Sequence, residues 1–566
     1  MKHLLQHFKT LTKHPQNAEE LKGLILQLAI QGKLTENWRA CHPELLSGSN
    51  SASKLLERIK EEKEVLIAQK KIKKEKPLDP IPKEDAPFER PSNWEWIRLG
   101  DLMAMYNGRA FKKHEWSTEG IPIIRIQNLN KKDAPFNYFE GELLDKHKIN
   151  KGTFLISWSG TPGTSFGAFI WDGIDGALNQ HINKCVFHYE GINKEFFKKA
   201  INSRLYRLIE QAQGGVGLKH VTKGILNNLI LPLPPLEEQK AIVAIVNELF
   251  AEVEQLEDAT KTSSQLKEYF VTSALQRLAQ ADNVNEEWQF LQSHFTEFFT
   301  EKENVKQLRE TLLQLAVQGK LTAKWRSRHP ELIEGQNHAS ELLNRIQTEK
   351  QQLIAKKKIK KEKPLPLIED NEKPYDLPKG WVWCRFQDCA NIASNLVKPH
   401  LYLDLPHIAP DVIEKGNGKL LDYRTIREDA VKSSKHYFFA GQIIYSKIRP
   451  NLNKLVEVDF EGLCSADMYP IDSFVYRSYL FTYMLSKVFL KQSVKSDTRV
   501  AMPKINQAEL SMIVVPVPPL EEQKTIVEKV NSLMALCDSL EEHIDNSQTQ
   551  IEQLMQSCLR EVFEMN

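Results

Sequence analysis

Two hydrophobic rhythms run along this chain. In SASKLLERIKEEKEVLIAQKKIKK, which starts at Ser51, Leu55, Leu56, Ile59 and Leu66 share one face at helical spacing and predict an amphipathic helix. Pro77, Pro80, Pro82, Pro87 and Pro91 then end that helix and predict a stiff connector. Near the C-terminus, Val530, Cys537, Ile544, Ile551 and Cys558 recur every seven residues, with Leu533, Leu540, Ser547 and Leu554 between them. That is an a/d seam, and it predicts a coiled-coil helix from Leu520 to Val562, roughly 60–65 Å long at about 1.5 Å per residue. An earlier stretch keeps the pattern through Val246, Leu249, Val253 and Leu256 and leaves register at Thr260. The second rhythm is of short apolar runs bounded by turn residues: IPIIRI, TFLISW, NLILPLP, GQIIYSKI and SMIVVPVP. These predict strands. EFFKKAINSRLYRLIEQAQ and RSYLFTYMLSKVFLKQSV predict one helix each.

The elements are written twice. LKGLILQLAIQGKLTENWR, from Leu21, returns as LRETLLQLAVQGKLTAKWR, from Leu308. The same shift carries His7-Phe8 to His294-Phe295, KKIKKEKPL ending at Leu78 to KKIKKEKPL ending at Leu365, and Trp94 to Trp381. LPLPPLEEQKAIV, from Leu231, returns as VPVPPLEEQKTIV, from Val515. Between these matched frames lie two inserts of nearly equal length whose sequences have little in common. A constant frame around two unlike inserts predicts two related modules doing one job on two targets. The expected segments are a helical frame and connector at 1–96, an insert at 97–235, a central helical frame at 236–383, a second insert at 384–519 and a coiled-coil helix at 520–566. Each insert is long enough for its own mixed α/β core. Antiparallel packing of the central and C-terminal helices would place the inserts at opposite ends, so that one chain imitates a dimer.

The PPLEEQ blocks read as helix starts: the proline pair stops the preceding strand, and Glu237-Glu238 lie in the first turn, where anions are favoured. The lysines of KKIKKEK admit two readings, a DNA contact or a complement to a helix C-terminus.

At 566 residues, with 41% hydrophobic and 27% charged residues, the chain has the composition of a soluble globular protein of several domains. No apolar run is long enough for a transmembrane helix, and MKHLLQHFKT is too polar for a secretory signal. The seven cysteines form no CxxC pair; Cys384 and Cys389 are the nearest two. A reduced cytoplasmic protein without a zinc site is expected. A net charge of +2 requires a DNA binder to gather its positive charge on one face. Catalytic signatures are missing. There is no glycine-rich methyltransferase loop with an (N/D)PP(Y/F) segment, since DPIP at 79–82 fails the pattern. There is no GxxxxGK[ST] phosphate loop, and GGVG at 214–217 lacks a third glycine. The histidines form no HExxH.

Candidate DNA contacts fall in matched loops. The first insert has NGRAFKKHEW at 107–116, with Arg109, Lys112 and Lys113 beside Phe111 and Trp116, and IRIQNLN at 124–130. Arg125, Gln127 and Asn128 are types that pair with guanine or adenine edges. ISWSGTPGTS brings Ser159 and Thr161, suited to phosphate. NQHINK and GGVGLKH add Gln180, His181, Lys219 and His220. The second insert has YSKIRPNLNK at 445–454, with Ser446, Lys447, Arg449, Asn451, Asn453 and Lys454. CSADMY adds Ser465, and SDTRVAMPKIN adds Arg499 and Lys504.

Taken together, these signatures resemble those of the specificity subunits of type I restriction–modification enzymes, along nearly the whole chain. They are the paired PLPPLEEQ-type helix starts, the paired LLQLAxQGKL…KKIKKEKPL frames, GRAFKKHEW…GIPIIRIQNLN and LISWSGTPGT…ALNQHI in the first insert, and GQIIYSKIRPNLNK…CSADM in the second. TENWRACHPELLSGSN at 35–50 departs from the family by its length. The resemblance implies α/β target-recognition domains separated by long helices in an antiparallel coiled coil, each domain reading one half of a bipartite DNA site. It also implies a non-catalytic chain that docks two methyltransferase (M) subunits and restriction (R) subunits, with S-adenosylmethionine bound by M and ATP and magnesium by R. The rival expectation is a coiled-coil adaptor that binds only proteins. A fused restriction–methylation enzyme is disfavoured by the missing cofactor loop.

Overall fold

The computed structural model describes residues 17–74, 76–131, 133–158, 166–213, 222–281, 283–332, 338–495 and 503–563. The chain forms two compact units. Unit 1 is Met1–Ser264 with Thr549–Asn566, and unit 2 is Gln265–Gln548.

In unit 1, helix α1 (Asn17–Ile30) buries Leu21, Leu24, Ile25 and Leu28. It ends at Gly32, whose φ of +72° only glycine adopts without strain. The closing turn is hydrogen-bonded from Lys33 N to Leu28 O at 3.0 Å. A Cβ on Gly32 would lie 2.7 Å from the Pro91 ring and 2.9 Å from Trp94, so the site also needs the small residue for packing. Helix α2 (Ala52–Ala68) is capped by Ser51, whose Oγ accepts from Lys54 N at 3.3 Å. It stops short of the expected Lys74, because Lys70 turns left-handed at φ +57°.

The chain then enters the first insert. Its strands are β1 (Glu95–Arg98), β2 (Met103–Asn107), β3 (Ile121–Ile124), β4 (Asn137–Phe139), β5 (Lys148–Ile149), β6 (Phe154–Ser157), β7 (Gly167–Ile170), β8 (Gly176–Leu178), β9 (Ile182–Phe187) and β10 (Ile230–Leu233). One sheet has the order β2-β9-β6-β7, all antiparallel. The other has the order β4-β3-β8-β5, with β3 and β8 parallel. Helix α3 (Lys194–Gln213) covers the first sheet. Strands β1 and β10 pair antiparallel, Glu95 opposite Leu233, and so clamp the insert where the chain enters and leaves it. Helix α4 (Leu236–Gln280) follows directly. Phe196, Phe197, Ala200 and Ile201 of α3, the apolar face of α1, and Val246 and Val253 of α4 form one core. The frame thus packs on the insert itself, and Gln27 Nε2 donates to Ser203 Oγ at 2.8 Å.

Unit 2 repeats the plan. Helix α5 (Lys302–Val317) corresponds to α1, with Gly319 at φ +69° against Pro378 and Trp381. Helix α6 (Ala339–Ala355) corresponds to α2 and ends in left-handed Lys357. The second insert has β11 (Val382–Arg385), β12 (Ala390–Ile392), β13 (Leu396–Val397), β14 (Pro406–Ile408), β15 (Arg424–Thr425), β16 (Lys435–Phe438), β17 (Ile443–Ser446), β18 (Leu455–Glu457), β19 (Gly462–Cys464), β20 (Met468–Ser473) and β21 (Val514–Val517). Its sheets run β12-β20-β17-β18 and β13-β16-β19-β14-β15, with β14 and β19 parallel and β11 paired to β21. Apart from the extra edge strand β13, this is the strand order of the first insert. Two unlike sequences therefore share one topology.

RSYLFTYMLSKVFLKQSV, expected as one helix, forms two, Arg477–Leu485 and Lys487–Lys495. Ser486 breaks it: its Oγ donates to Tyr483 O at 2.6 Å and accepts from Phe489 N at 3.4 Å, which makes it the N-cap of the second helix.

Helix α7 (Leu520–Phe563) buries Val530, Cys537 and Ile544 of its expected seam, half-buries Leu533, Leu540, Ile551 and Leu554 and leaves Ser547 exposed, and it packs against several helices rather than one. In unit 2, Val530 packs with Leu313, Ala316 and Trp381. Cys537 and Ile544 pack with Leu308 and Leu312 of α5 and with Val271, Leu275 and Leu278 of α4. In unit 1, Leu554 joins the core that holds Val253. Within unit 1 the early part of α4 thus lies with the late part of α7, and within unit 2 the late part of α4 lies with the middle of α7. No helix among the described residues is long and apolar enough to cross a membrane.

Candidate nucleic-acid interface

Strand register gathers the candidate loops at one edge of each insert. In the first, Asn107 at the end of β2 lies opposite Asn183, and Ser157 at the end of β6 lies opposite Ile182 and Gly167. The parallel β3 and β8 finish side by side at Ile124 and Leu178. The segments after β2, β3, β6 and β8 therefore leave the same edge. Asn179 N donates to Ile124 O at 3.0 Å and Trp158 N to His181 O at 3.4 Å. The second insert repeats both bonds at matching positions: Ser465 N to Ile408 O at 2.9 Å, and Lys447 N to Asp467 O at 3.0 Å. Its edge also takes in residues 503–505, since Arg449 N donates to Pro503 O at 2.8 Å and Ile505 N to Lys447 O at 2.9 Å.

The side chains on these edges differ. In the first insert, Gly108 passes over Asn179 so closely that a Cβ would meet its carbonyl at 2.1 Å. Arg109 is paired to Glu115 and lies over the Phe111 and Phe139 rings at 5.0 and 4.4 Å. The Lys112 amide, helped by the Arg109 charge, holds the Glu115 carboxyl below its usual range. Lys112 and Lys113 are exposed. The Arg125 guanidinium sits 5.2 Å from the ring of Trp116, which is itself exposed. Gln127 is exposed and donates to Pro135 O at 3.3 Å. Asn128 is buried: its Oδ1 accepts from Arg125 N at 3.0 Å and its Nδ2 donates to Ala134 O at 3.1 Å. Gln180 is exposed, and His181 packs on Trp158 with ring centroids 5.3 Å apart.

In the second insert, Ser446 is buried and donates to Ile448 O at 3.2 Å. Asn453 is buried and donates to Met484 O at 3.1 Å. Lys454 Nζ donates to Pro410 O at 2.5 Å. Lys447 donates to Ala466 O at 2.8 Å and lies over the Tyr469 ring at 5.4 Å. Asp467 draws both Lys504, at 3.2 Å, and Lys447, at 3.6 Å. Burial, then the Lys447 charge, holds the nearby His436 imidazole below its usual range. Ser465 is half-buried and accepts from Asp467 N at 3.2 Å. Arg449 and Asn451 are exposed, and Arg449 is left-handed at φ +47°. Ser159, Thr161, Lys219, His220 and Arg499 lie outside the described residues.

Of the polar candidates, Asn128, Ser446 and Asn453 are thus turned into the fold, and none presents a polar edge to solvent. Lys112, Lys113, Gln127, Gln180, Arg449 and Asn451 are open to it, with Arg125 held on Trp116.

The second Glu of PPLEEQ is a buried hub that the sequence reading placed only in a first turn. Glu238 is fully buried and accepts from Thr35 Oγ1 at 2.7 Å, Arg39 Nη1 at 2.6 Å and Trp94 Nε1 at 2.8 Å. Glu522 accepts from Thr322 at 2.6 Å, Arg326 at 2.5 Å and Trp381 at 2.8 Å. Each hub thus ties the helix that leaves an insert to the frame that precedes it. The signal was present in the sequence, since Thr, Arg, Trp and Glu all recur in both copies. The neighbouring Gln239 and Gln523 are buried as well: Gln239 Oε1 accepts from Asn193 N at 2.9 Å and Gln523 Oε1 from Tyr476 N at 2.8 Å.

A sequence model described as "Type I restriction modification DNA specificity domain" matches residues 91–263 and 398–550. The Escherichia coli type I restriction enzyme EcoDI specificity subunit is 31% identical over 84% of this chain and 88% of its own length. The EcoAI specificity subunit of the same species is 30% identical over 94% of this chain and 92% of its own. A solved structure described as the HsdS subunit from Thermoanaerobacter tengcongensis covers 85% of this chain and 98% of its own at 16% identity, with a TM-score of 0.42. The chain belongs to the family of type I restriction–modification specificity subunits.

Proposed function

We propose that each insert reads one half of a bipartite DNA site through its loop edge, while the helices set the spacing and dock M and R subunits. One observation carries the reading: the two inserts share strand order and edge hydrogen bonds yet carry different side chains there. That is what two readers of two different half-sites require. Arg449 supports it, being a long donor on an exposed loop in a conformation that non-glycine residues adopt at a cost. The chain itself catalyses nothing in this reading. S-adenosylmethionine is bound by M, and ATP and magnesium by R.

Mapping methylated bases in a host that expresses this chain with its M subunit tests the proposal. A two-part motif with an unspecified spacer is expected. Complex formation without any sequence-dependent, salt-sensitive DNA binding would instead support the protein-only adaptor.

A further inference from the structure

We propose that the lysine tract KKIKKEK, carried once in each unit, grips the DNA sugar–phosphate backbone without reading sequence. This rests on DNA being the ligand of the loop edges. The tract is identical in the two copies, as suits a contact that is the same whatever each insert reads.

Helix-end electrostatics do not account for it. Helices α2 and α6 stop at Ala68 and Ala355, and the benefit of a cation fades within a helix's last turn. Lys360, Lys361 and Lys363 lie beyond that turn, as do their counterparts Lys73, Lys74 and Lys76. All are exposed, together with Lys357 and Lys358. The one acid of the second tract, Glu362, is drawn away to the buried Lys350 at 3.0 Å. None of the five lysines there has an ion pair or a side-chain hydrogen bond among the described residues. Clustered like charges repel, and folding alone gives no reason to hold them together.

Yet the tract is held. Left-handed Lys357 fixes its start, with Lys358 N bonded to Leu353 O at 2.9 Å. Lys363 O accepts from Gln387 Nε2 at 2.9 Å. In unit 1, Tyr106 Oη lies 3.5 Å from Lys71 O, one residue before the end of β2, where the loop edge begins. In unit 1 the tract thus starts beside that edge, and a row of exposed ammonium groups on a held backbone suits a row of phosphates. Lysine supplies point charges rather than the planar fork that reads bases.

The test uses the full-length chain and two duplexes that extend past the site, one random and one carrying the mapped motif. Lys357, Lys358, Lys360, Lys361 and Lys363 are changed together to Gln and, separately, to Arg. Each lost phosphate contact should lower the slope of log K against log salt by about 0.9, so the Gln variant should lose about 3–5. Both duplexes should weaken by the same factor, the methylated motif should stay the same, and the Arg variant should bind like wild type. Three outcomes overturn the proposal: an unchanged slope, weakening confined to the motif-bearing duplex, or loss only of a co-purifying protein subunit. Wild-type chain that binds neither duplex in a salt-dependent way would sink the functional reading along with this one. Wild-type binding with an unaltered slope in the Gln variant would sink the tract alone.

Discussion

Burial decides what each polar residue is free to do. Glu522 has no solvent of its own, and Arg326 and the Trp381 indole depend on it. Glu522→Ala should therefore destabilise unit 2 by about 3 kcal/mol, because removing one partner leaves the other buried and uncompensated. A lowered thermal unfolding midpoint checks this, with Glu238→Ala acting likewise in unit 1. A midpoint equal to wild type in either variant would mean that the hub holds nothing. On the loop edge the same logic separates two neighbours. Arg449→Ala should weaken the second half-site by about 1–3 kcal/mol and relax one base position in the methylated motif. An equal loss on every sequence would make Arg449 a phosphate contact, and no loss would remove it from the site. Asn453→Ala should instead lower stability, by about 1 kcal/mol for a lost buried hydrogen bond, and leave the sequence read intact.

Among the elements, the strand ribbons β1·β10 and β11·β21 mark where inserts are exchangeable. Replacing the segment between Arg98 and Ile230 with a relative's insert should change one half-site and leave the other. Methylation mapping that showed both halves altered would end the modular reading. The guest must bring a helix face like Phe196, Phe197 and Ala200, because α1 packs on it. The repeats, the helix starts and five strands, β3, β6, β10, β17 and β21, were legible in the sequence, because each rests on local periodicity or on direct self-similarity. The shared topology was not: its strands are two to six residues long, and the parallel pairs β3·β8 and β14·β19 join distant segments. The break at Ser486 was hidden by apolar residues running through it. The burial of Asn128, Ser446 and Asn453 was hidden because a loop rich in Asn and Ser looks the same whether its side chains face water or carbonyls. Glu238 was hidden by a second sufficient explanation, since an acid in a first turn already fits the helix dipole.

On the scale of the whole chain, α4 and α7 both pass from one unit into the other. Helix α4 is continuous through Thr260, where the sequence pattern falters. Length added to one helix must therefore be matched in the other. Seven residues inserted after Ser264, with seven more after Gln548, lengthen both connections by about 10 Å and keep the heptad register. If the helices are the ruler, the methylated motif should gain about three base pairs of spacer at 3.4 Å each. Four-residue insertions add only about 6 Å but rotate everything beyond them out of the seam, so they should harm co-purification of the M subunit more. An active seven-residue variant with an unchanged spacer would assign the separation to the partner subunits.

The division of the chain also fixes an order of events during synthesis. Unit 2 is one continuous stretch, whereas unit 1 is closed by Thr549–Asn566. The stretch between Ser264 and Thr549 takes about 15–60 s to make at roughly 5–20 residues per second. Throughout that time the stripe of α4 around Val253 waits without Leu554, which completes its core. The first half to leave the ribosome is thus the last to be finished. A released chain truncated after Gln548 should offer that stripe to chaperones, while its unit 2 has all the residues it needs to fold.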